Sequence, residues 1–285
     1  MNYNHHYHAG NFADCLKHVI LFAVLAYFRE RNKPFLAVDA FAGAGLYDLA
    51  SLEPQKTGEK DEGISCWFKN PPQSALVRGF FQRFHQLSGS GKEVSFYPGS
   101  PMYFTHGQTA GERCLLMETH PDTSIRLHNR LPSQASWDVI EQDGYATTLS
   151  RLPAPEKRAL LLMDPPFEKP NEFRALTRFT SHALKRQANA TVIVWYPIKD
   201  IASSMALEET ARVEATESLI VHLDIGEGRG LRRCGVVVTN PPFTLFENLA
   251  QSRADFAHLG RGKGRLSLSL YAKTDDDRMS LLLKA

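Results

Sequence analysis

The chain has 285 residues, of which 43% are hydrophobic and 22% charged, and this composition is typical of a globular protein with a buried core. Its formal net charge of +2 permits nucleic-acid binding through a local patch but does not by itself indicate it. The four cysteines form no CxxC pair, which argues against a zinc ribbon or a disulfide framework and favours a reducing cytoplasm.

The amino-terminal part predicts one helix followed by one buried strand. Asn11 or Asp14 can cap a helix that continues to about Arg31. Its apolar run, residues 19–28, is shorter than the roughly 18 residues of a membrane span, so we expect a buried helix and no membrane partner. Residues 35–39 then predict a buried strand that ends in the glycine-rich turn AFAGAG.

The hydrophobic pattern loosens between residues 46 and 111. Loop signals such as KTGEKDEG, KNPPQ, SGSGK and YPGSP alternate there with short helical pieces. We therefore predict a small helical subdomain at 46–111, inserted after the first βα unit into a domain formed by 1–45 and 112–285.

After the insertion, apolar runs alternate regularly with amphipathic helical segments. The predicted strands are 113–118, 137–143, 158–164, 190–197, 217–225 and 234–240. Near-continuous Val, Ile and Leu runs of this kind predict an α/β fold with a doubly wound, mainly parallel sheet. Because ligands of such sheets bind at the carboxyl ends of the strands, the residues at those ends are the candidates for function.

The first two strand ends suggest a nucleoside site. Asp39 precedes the glycine turn, where Gly43 allows a ligand to approach the backbone closely, although a purely structural turn explains it equally well. Glu118 can accept hydrogen bonds from both hydroxyls of a ribose, or it can be a solvated strand-end carboxylate. Its distance from Asp39 in the chain is explained by the insertion.

The third strand end adds a candidate adenine contact. Asp143 and the backbone N–H of Gly144 can hold an adenine ring, and a plain helix cap is an equally good account. The chain contains neither GxxxxGK[ST] nor GxGxxG, which argues against a phosphate-loop hydrolase and a nicotinamide or flavin enzyme. Ribose and adenine recognition without a phosphate loop favours S-adenosylmethionine.

Two strand ends carry nearly the same tail, MDPPF at 163–167 and TNPPF at 239–243. The Asp164 carboxylate and the Pro165 carbonyl can both accept from a base amine, which frees the nitrogen lone pair for a methyl group, and Phe167 can stack on the base. The alternative is a loop stiffened by proline. Strand order assigns the chemistry to Asp164, and Asn240 is interpreted as a structural turn that could line the pocket.

With the amino-terminal segment, these motifs resemble the bacterial 23S ribosomal RNA adenine-N6 methyltransferase J family. The family pattern Y-x-H-x-x-H-A-G-N-x-A-D-x-x-K-H is matched at Tyr3, His5, His8, Ala9, Gly10, Asn11, Ala13, Asp14, Lys17 and His18. The similarity continues through TGE, YPGSP, DPP, WYP and NPP. The resemblance implies a monomeric, cytoplasmic, Rossmann-like class I methyltransferase that uses S-adenosylmethionine to methylate one adenine of 23S rRNA.

The resemblance also implies roles for single residues. Contacts to the cofactor are implied at Lys17, His18, Ser100, Glu118, Asp143, Gly144 and Asp164. Tyr3 and His5 match positions that are associated with the RNA substrate. The chain departs from the family by carrying Phe41 where His is usual and Phe167 where Tyr is usual, so we expect one polar cofactor contact and one hydroxyl contact to be missing.

Two other functions remain open at this point. The same pocket could serve a DNA adenine-N6 methyltransferase or a protein for the use of external DNA, because the DPP motif recognises only an amine. A non-catalytic RNA-binding protein with this fold is the second alternative. No metal is expected, since His5, His6 and His8 have no ligand partner at a recognisable spacing.

Two basic segments near the carboxyl end could contact RNA phosphates. The first, EGRGLRRCG, contains Arg229, Arg232 and Arg233, and the second, RGKGR, contains Arg261, Lys263 and Arg265. Each can equally be an ordinary solvated face.

Overall fold

The computed structural model describes residues 9–49, 59–89, 95–133, 135–199, 201–273 and 279–285. Tyr3 and His5, the expected RNA contacts, lie outside these ranges. The eleven described strands are β1 (Phe35–Asp39), β2 (Leu46–Asp48), β3 (Phe96–Pro98), β4 (Glu112–Met117), β5 (Trp137–Ile140), β6 (Ala159–Met163), β7 (Thr191–Pro197), β8 (Glu217–Asp224), β9 (Arg233–Thr239), β10 (Arg265–Lys273) and β11 (Met279–Lys284).

Helices cover both faces of the main sheet. They are α1 (Phe12–Glu30), α2 (Ile64–Lys69), α3 (Ala75–Ser88), α4 (Ser100–Thr105), α5 (Pro121–His128), α6 (Gly144–Ser150), α7 (Glu172–Arg186), α8 (Ile201–Glu214), α9 (Leu245–Gln251) and α10 (Arg253–Ala257), with a 3-10 turn at Glu59–Glu62 and a short turn at Leu259–Gly262. None of the helices in the described ranges has the length and apolar character needed to cross a membrane.

Nine strands form one sheet in the order β11-β10-β8-β9-β7-β6-β1-β4-β5. The pairs from β5 to β7 are parallel, whereas β9 is antiparallel to both β7 and β8, and β10 is antiparallel to β8 and β11. This arrangement confirms the predicted doubly wound α/β fold with parallel central strands. The sheet as a whole is mixed, because its other half is antiparallel.

Successive residues of the buried strands point to opposite faces, as the two-residue repeat of a strand requires. In β1, Phe35 and Ala37 join the core under α1, while Leu36 and Val38 join the core under α7. Both faces are therefore apolar, which explains the continuous hydrophobic runs in the sequence.

The segment between β1 and β4 packs on α1 and carries Ser100 to the sheet. Arg29 of α1 forms a two-pronged ion pair with the buried Glu112, with donor–acceptor distances of 2.8 and 3.0 Å. The same guanidinium donates to the carbonyls of Phe104 and His106 at the end of α4. Arg29 therefore fixes α4, and with it Ser100, against the central strands. The domain boundaries 46 and 111 stay predictions.

Candidate active site

Three predicted acidic residues lie at one edge of the sheet. Asp39 is the last residue of β1, and it aligns with Leu116 of β4 and Leu162 of β6. Glu118 and Asp164 follow those two neighbouring strands directly. Because parallel strands end at the same edge, residues distant in the chain meet there, as the sequence predicted.

Lys17 lies between two carboxylates at this edge. Its ammonium nitrogen is 2.9 Å from Asp14 Oδ1 and 2.5 Å from Asp164 Oδ2, and its side chain is 4% exposed. Burial alone would lower the pKa of Lys17, but the Asp14 and Asp164 carboxylates more than offset that effect and hold its pKa above the usual value. The charged lysine therefore anchors one oxygen of Asp164. Its expected contact with a cofactor stays a prediction.

The start of α1 holds Asp14 in place. Asn11 is the N-cap, as the sequence allowed, and its side-chain oxygen accepts from the Asp14 N–H at 2.9 Å. The Gly10 N–H donates to Asp14 Oδ2 at 3.0 Å, so the carboxylate is held by backbone and by Lys17 together. The short motif GNxADxxK therefore positions the Lys17 ammonium group that holds Asp164.

The second oxygen of Asp164 is open to a ligand. Among the described residues no hydrogen bond reaches Oδ1, while the side chain is 16% exposed. Nearby, Phe167 has a left-handed backbone with φ of +52°, which is uncommon for a bulky residue. Its ring packs against Phe173 at 5.1 Å and edge-on against Trp195 at 5.7 Å.

Trp195 is a site residue that the sequence reasoning did not single out. It lies near the end of β7, beside β6, and is partly exposed. The motif WYP at a predicted strand end was the available signal. Trp195 and Phe167 together form an aromatic border at the end of β6, where Asp164 lies.

Glu118 connects the ends of β1 and β4. Its Oε2 accepts from the Gly43 N–H at 3.0 Å, and its Oε1 accepts from the His120 N–H at 2.8 Å. Gly43 has φ of +63°, and a Cβ there would lie 2.3 Å from the Tyr47 hydroxyl, so the turn requires glycine. Each Glu118 oxygen has a further lone pair for a ligand hydroxyl.

Asp39 is fully buried and only partly hydrogen-bonded. Its Oδ1 accepts from the Phe41 N–H at 3.3 Å, while Oδ2 has no partner among the described residues. Burial raises the pKa of Asp39 to about 7, and the nearby Ser100 hydroxyl and the Phe41 N–H limit that rise. A buried polar atom without a partner inside a candidate site indicates a place for a ligand donor.

We expect Asp39→Asn to become more stable relative to the wild type as the pH rises. The folded-state pKa of about 7 exceeds the ordinary aspartate pKa of 3.8, so the folded state holds the proton more tightly. Asp39 does not reduce the free energy of unfolding of the wild type below about pH 4. It reduces that free energy progressively as the pH rises through 7. Between those limits the variant should gain about 2–4 kcal/mol over the wild type. Urea unfolding of both proteins at both limits measures this, and a pH-independent difference would contradict it.

Asp143 and Gly144 have clear structural roles. Asp143 caps α6 by accepting from the Ala146 N–H at 2.8 Å, which is the plain cap that the sequence allowed. A Cβ at Gly144 would lie 2.0 Å from the Ala40 carbonyl oxygen, so α6 can approach the β1 turn only with glycine there. Both residues adjoin the same turn as Asp39, and their contact with adenine stays a prediction.

His18 and Ser100 lie inside the protein behind this edge. The His18 ring is 1% exposed, its Nδ1 is 2.8 Å from the Tyr97 hydroxyl, and it stacks on Tyr103 at 5.4 Å. Ser100 is the first residue of α4 and is 6% exposed. The ring of Phe41 packs edge-on against Tyr145 at 5.2 Å, which is an apolar contact.

The second PPF tail does not belong to this site. Asn240 follows β9, which runs antiparallel to β7, so it lies at the amino end of β7 and on the opposite edge of the sheet. Its side-chain amide donates to the carbonyls of Ala188 and Ala190 at 2.9 and 2.8 Å. The interpretation as a structural turn is supported, but the suggestion that Asn240 lines the pocket is wrong.

Metal ligation was also considered in the sequence. Within the described ranges, no group of three or more His, Cys, Asp or Glu side chains is placed to hold a metal ion. His5, His6 and His8 lie outside those ranges.

Comparisons with known proteins place this chain in a family. The family model for "Ribosomal RNA large subunit methyltransferase D, RlmJ" matches residues 32–267. The ribosomal RNA large subunit methyltransferase J of Haemophilus influenzae is 32% identical over 255 residues, 86% of this chain and 89% of that protein. Its Escherichia coli counterpart is 30% identical over 253 residues, 87% and 90% of the two chains. The crystal structure of protein LPL1258 from Legionella pneumophila, 27% identical, superposes with a TM-score of 0.84 over 92% of this chain and 97% of that one.

Proposed function

Since the chain belongs to the ribosomal RNA large subunit methyltransferase J family, we propose that it methylates N6 of one adenine in 23S rRNA, with S-adenosylmethionine as the methyl donor. We choose an amine as the methyl acceptor because of how the two oxygens of Asp164 are placed. One oxygen is held by Lys17 and the other is open beside an aromatic border. This arrangement suits a group that offers N–H donors on a flat ring.

The acceptor chemistry follows from that geometry. The lone pair of an adenine amine is delocalised into the ring, so the amine is a poor nucleophile. Hydrogen bonds from N6 to Asp164 Oδ1 and to the Pro165 carbonyl favour a pyramidal nitrogen whose lone pair is free to attack. Stacking on Phe167, worth roughly 1–3 kcal/mol, holds a base that is flipped out or already unpaired. Catalysis in this proposal is positioning and electrostatics.

The residues around the glycine turn fit the cofactor. S-adenosylmethionine supplies a methyl group on a sulfonium ion. Glu118 would hold the ribose hydroxyls through its two oxygens, and the unpartnered Asp39 Oδ2 suits a cationic amino group. Gly43 leaves no room for a side chain at the turn, and Asp143 with Gly144 would border the adenine. An acidic set of this kind complements a positively charged cofactor.

The proposed enzyme would act on rRNA in the cytoplasm, as a monomer. Incubating the purified full chain with labelled S-adenosylmethionine and protein-free 23S rRNA should label a single adenine, which mass spectrometry of nuclease digests would identify as N6-methyladenine. Parallel reactions contain duplex and single-stranded DNA. Transfer to DNA in preference to rRNA would favour the DNA methyltransferase alternative and contradict the proposal.

A further inference from the structure

Two loops form a second polar surface at the same edge of the sheet as Asp164. The first loop, 225–232, joins β8 to β9, and the second, 258–264, precedes β10. Cys234 aligns with Pro197 at the carboxyl end of β7, while Arg233 and Arg265 both align with Asp224. Both loops therefore project beyond the edge where the parallel strands end. An open cavity of about 900 Å³ lies between them.

Cations dominate this surface. The cavity and its smaller neighbour are lined by the basic residues Arg229, Arg232, Arg233, Arg261, Lys263 and Arg265 and by the acidic residues Glu62, Asp224 and Glu227. Arg232 is already engaged, since it pairs with Glu62 at 2.6 Å and donates to two backbone carbonyls.

The other five cations are available to a ligand. Arg229, Arg233, Arg261, Lys263 and Arg265 are all exposed. Among the described residues, none of the five has an ion pair. We call these five residues the basic surface. Exposed cations without carboxylate partners retain their full charge for an external anion.

The loops that carry the basic surface pack closely, the second against the first at Gly260 and against α10 at Gly264. A Cβ at Gly260 would lie 2.5 Å from the Ile225 side chain, and one at Gly264 would lie 2.0 Å from the Phe256 carbonyl. Between them, Arg261 has φ of +59°, a left-handed conformation that costs a non-glycine residue about 1 kcal/mol or more. Close packing maintains this strained backbone, so the cations are presented on a preformed surface.

The spacing of the strands sets the distance between Asp164 and the basic surface. Asp164 follows β6. Arg233 begins β9, which is two strands away from β6 in the sheet, and Arg265 begins β10, which is four strands away. At about 4.8 Å per strand, the basic surface begins roughly 10 Å to the side of Asp164 and reaches roughly 20 Å. A polynucleotide whose target base enters the site can reach it, whereas a single nucleotide cannot.

We propose that the basic surface binds the phosphate backbone of the rRNA that flanks the target adenine. This inference rests on the proposed function, because it takes the substrate of the site to be RNA. It assigns Lys263 and Arg265 to the substrate rather than to an ordinary solvated face. The surface offers cations without an aromatic platform, so it contacts phosphates and not bases.

The test is the double variant Lys263→Gln/Arg265→Gln in the full chain. Its binding of protein-free 23S rRNA, measured without cofactor at several salt concentrations, should weaken about tenfold or more. The slope of log K against log salt should fall by about one for each residue replaced. The KM for rRNA should rise in parallel, while kcat at saturating rRNA and the Kd for S-adenosylmethionine stay at wild-type values.

The matched control removes two exposed cations from the opposite edge of the sheet, in Arg31→Gln/Lys33→Gln, and should bind rRNA like the wild type. Equal binding and equal salt slopes for both double variants would overturn the inference, even if the wild type methylates rRNA. If duplex DNA of similar length bound as tightly as rRNA and lost as much affinity in the variant, the assignment to RNA would be overturned. Because binding is measured separately from methyl transfer, a wild type that binds rRNA through this surface without methylating it contradicts only the proposed function.

Discussion

Asp164→Ala should lower kcat for methyl transfer to 23S rRNA by about 10³-fold or more. The substitution removes the side-chain acceptor that the proposed function assigns to the amine, and it leaves Lys17 with a single carboxylate partner. Affinity for S-adenosylmethionine should change much less, because the ribose contacts assigned to Glu118 remain. Single-turnover kinetics with excess enzyme measure the chemical step, and calorimetry measures cofactor binding.

Two further variants separate chemistry from folding in this experiment. Asp164→Asn keeps the shape and one acceptor oxygen but lacks the charge that pairs with Lys17, so its rate should lie between those of Asp164→Ala and the wild type. Asn240→Ala changes the matching tail at the opposite edge. It should lose stability with its two backbone hydrogen bonds and keep its turnover. Equal damage to turnover by Asn240→Ala and Asp164→Ala, in folded proteins, would contradict the assignment of chemistry.

The meeting of the candidate acidic residues at one edge of the sheet could be predicted because its signals are local in the sequence. Asp39, Glu118 and Asp164 each follow an apolar run, and the geometry of a parallel sheet brings such ends together. The direction of β9 could not be predicted in the same way. A fully buried strand has the same apolar pattern whether it is parallel or antiparallel, so the sequence left open whether the Asn240 turn lines the pocket.

Other features depend on contacts that no short pattern records. Lys17 and Asp164 are 147 positions apart, and their pairing follows from how α1 packs against the end of β6.

The sequence did not predict the strands β10 and β11. In β10, exposed and buried residues alternate at its start, so its apolar content is lower than that of the central strands. The basic loops were identified from composition, but only the pairing of Arg265 with Asp224 and of Asp224 with Arg233 places them at the same edge as Asp164.

Lys17→Met should impair both the fold and the reaction. Without the ammonium, Asp14 at 4% exposure and Asp164 at 16% exposure become neighbouring carboxylates with no cation between them. Breaking a buried pair in this way should lower the free energy of unfolding by about 3 kcal/mol. Methyl transfer by the folded fraction should fall about 10²-fold, since the open oxygen of Asp164 is no longer held in place.

The conservative variant Lys17→Arg distinguishes a positioning role for Lys17 from a merely structural one. Lys17→Arg retains the positive charge beside Asp14 and Asp164, so it should restore part of the methyl-transfer rate that Lys17→Met loses. Single-turnover rates of the folded proteins measure this difference. A folded Lys17→Met protein that transfers methyl groups at the wild-type rate would show that Asp164 needs no cation to orient the amine.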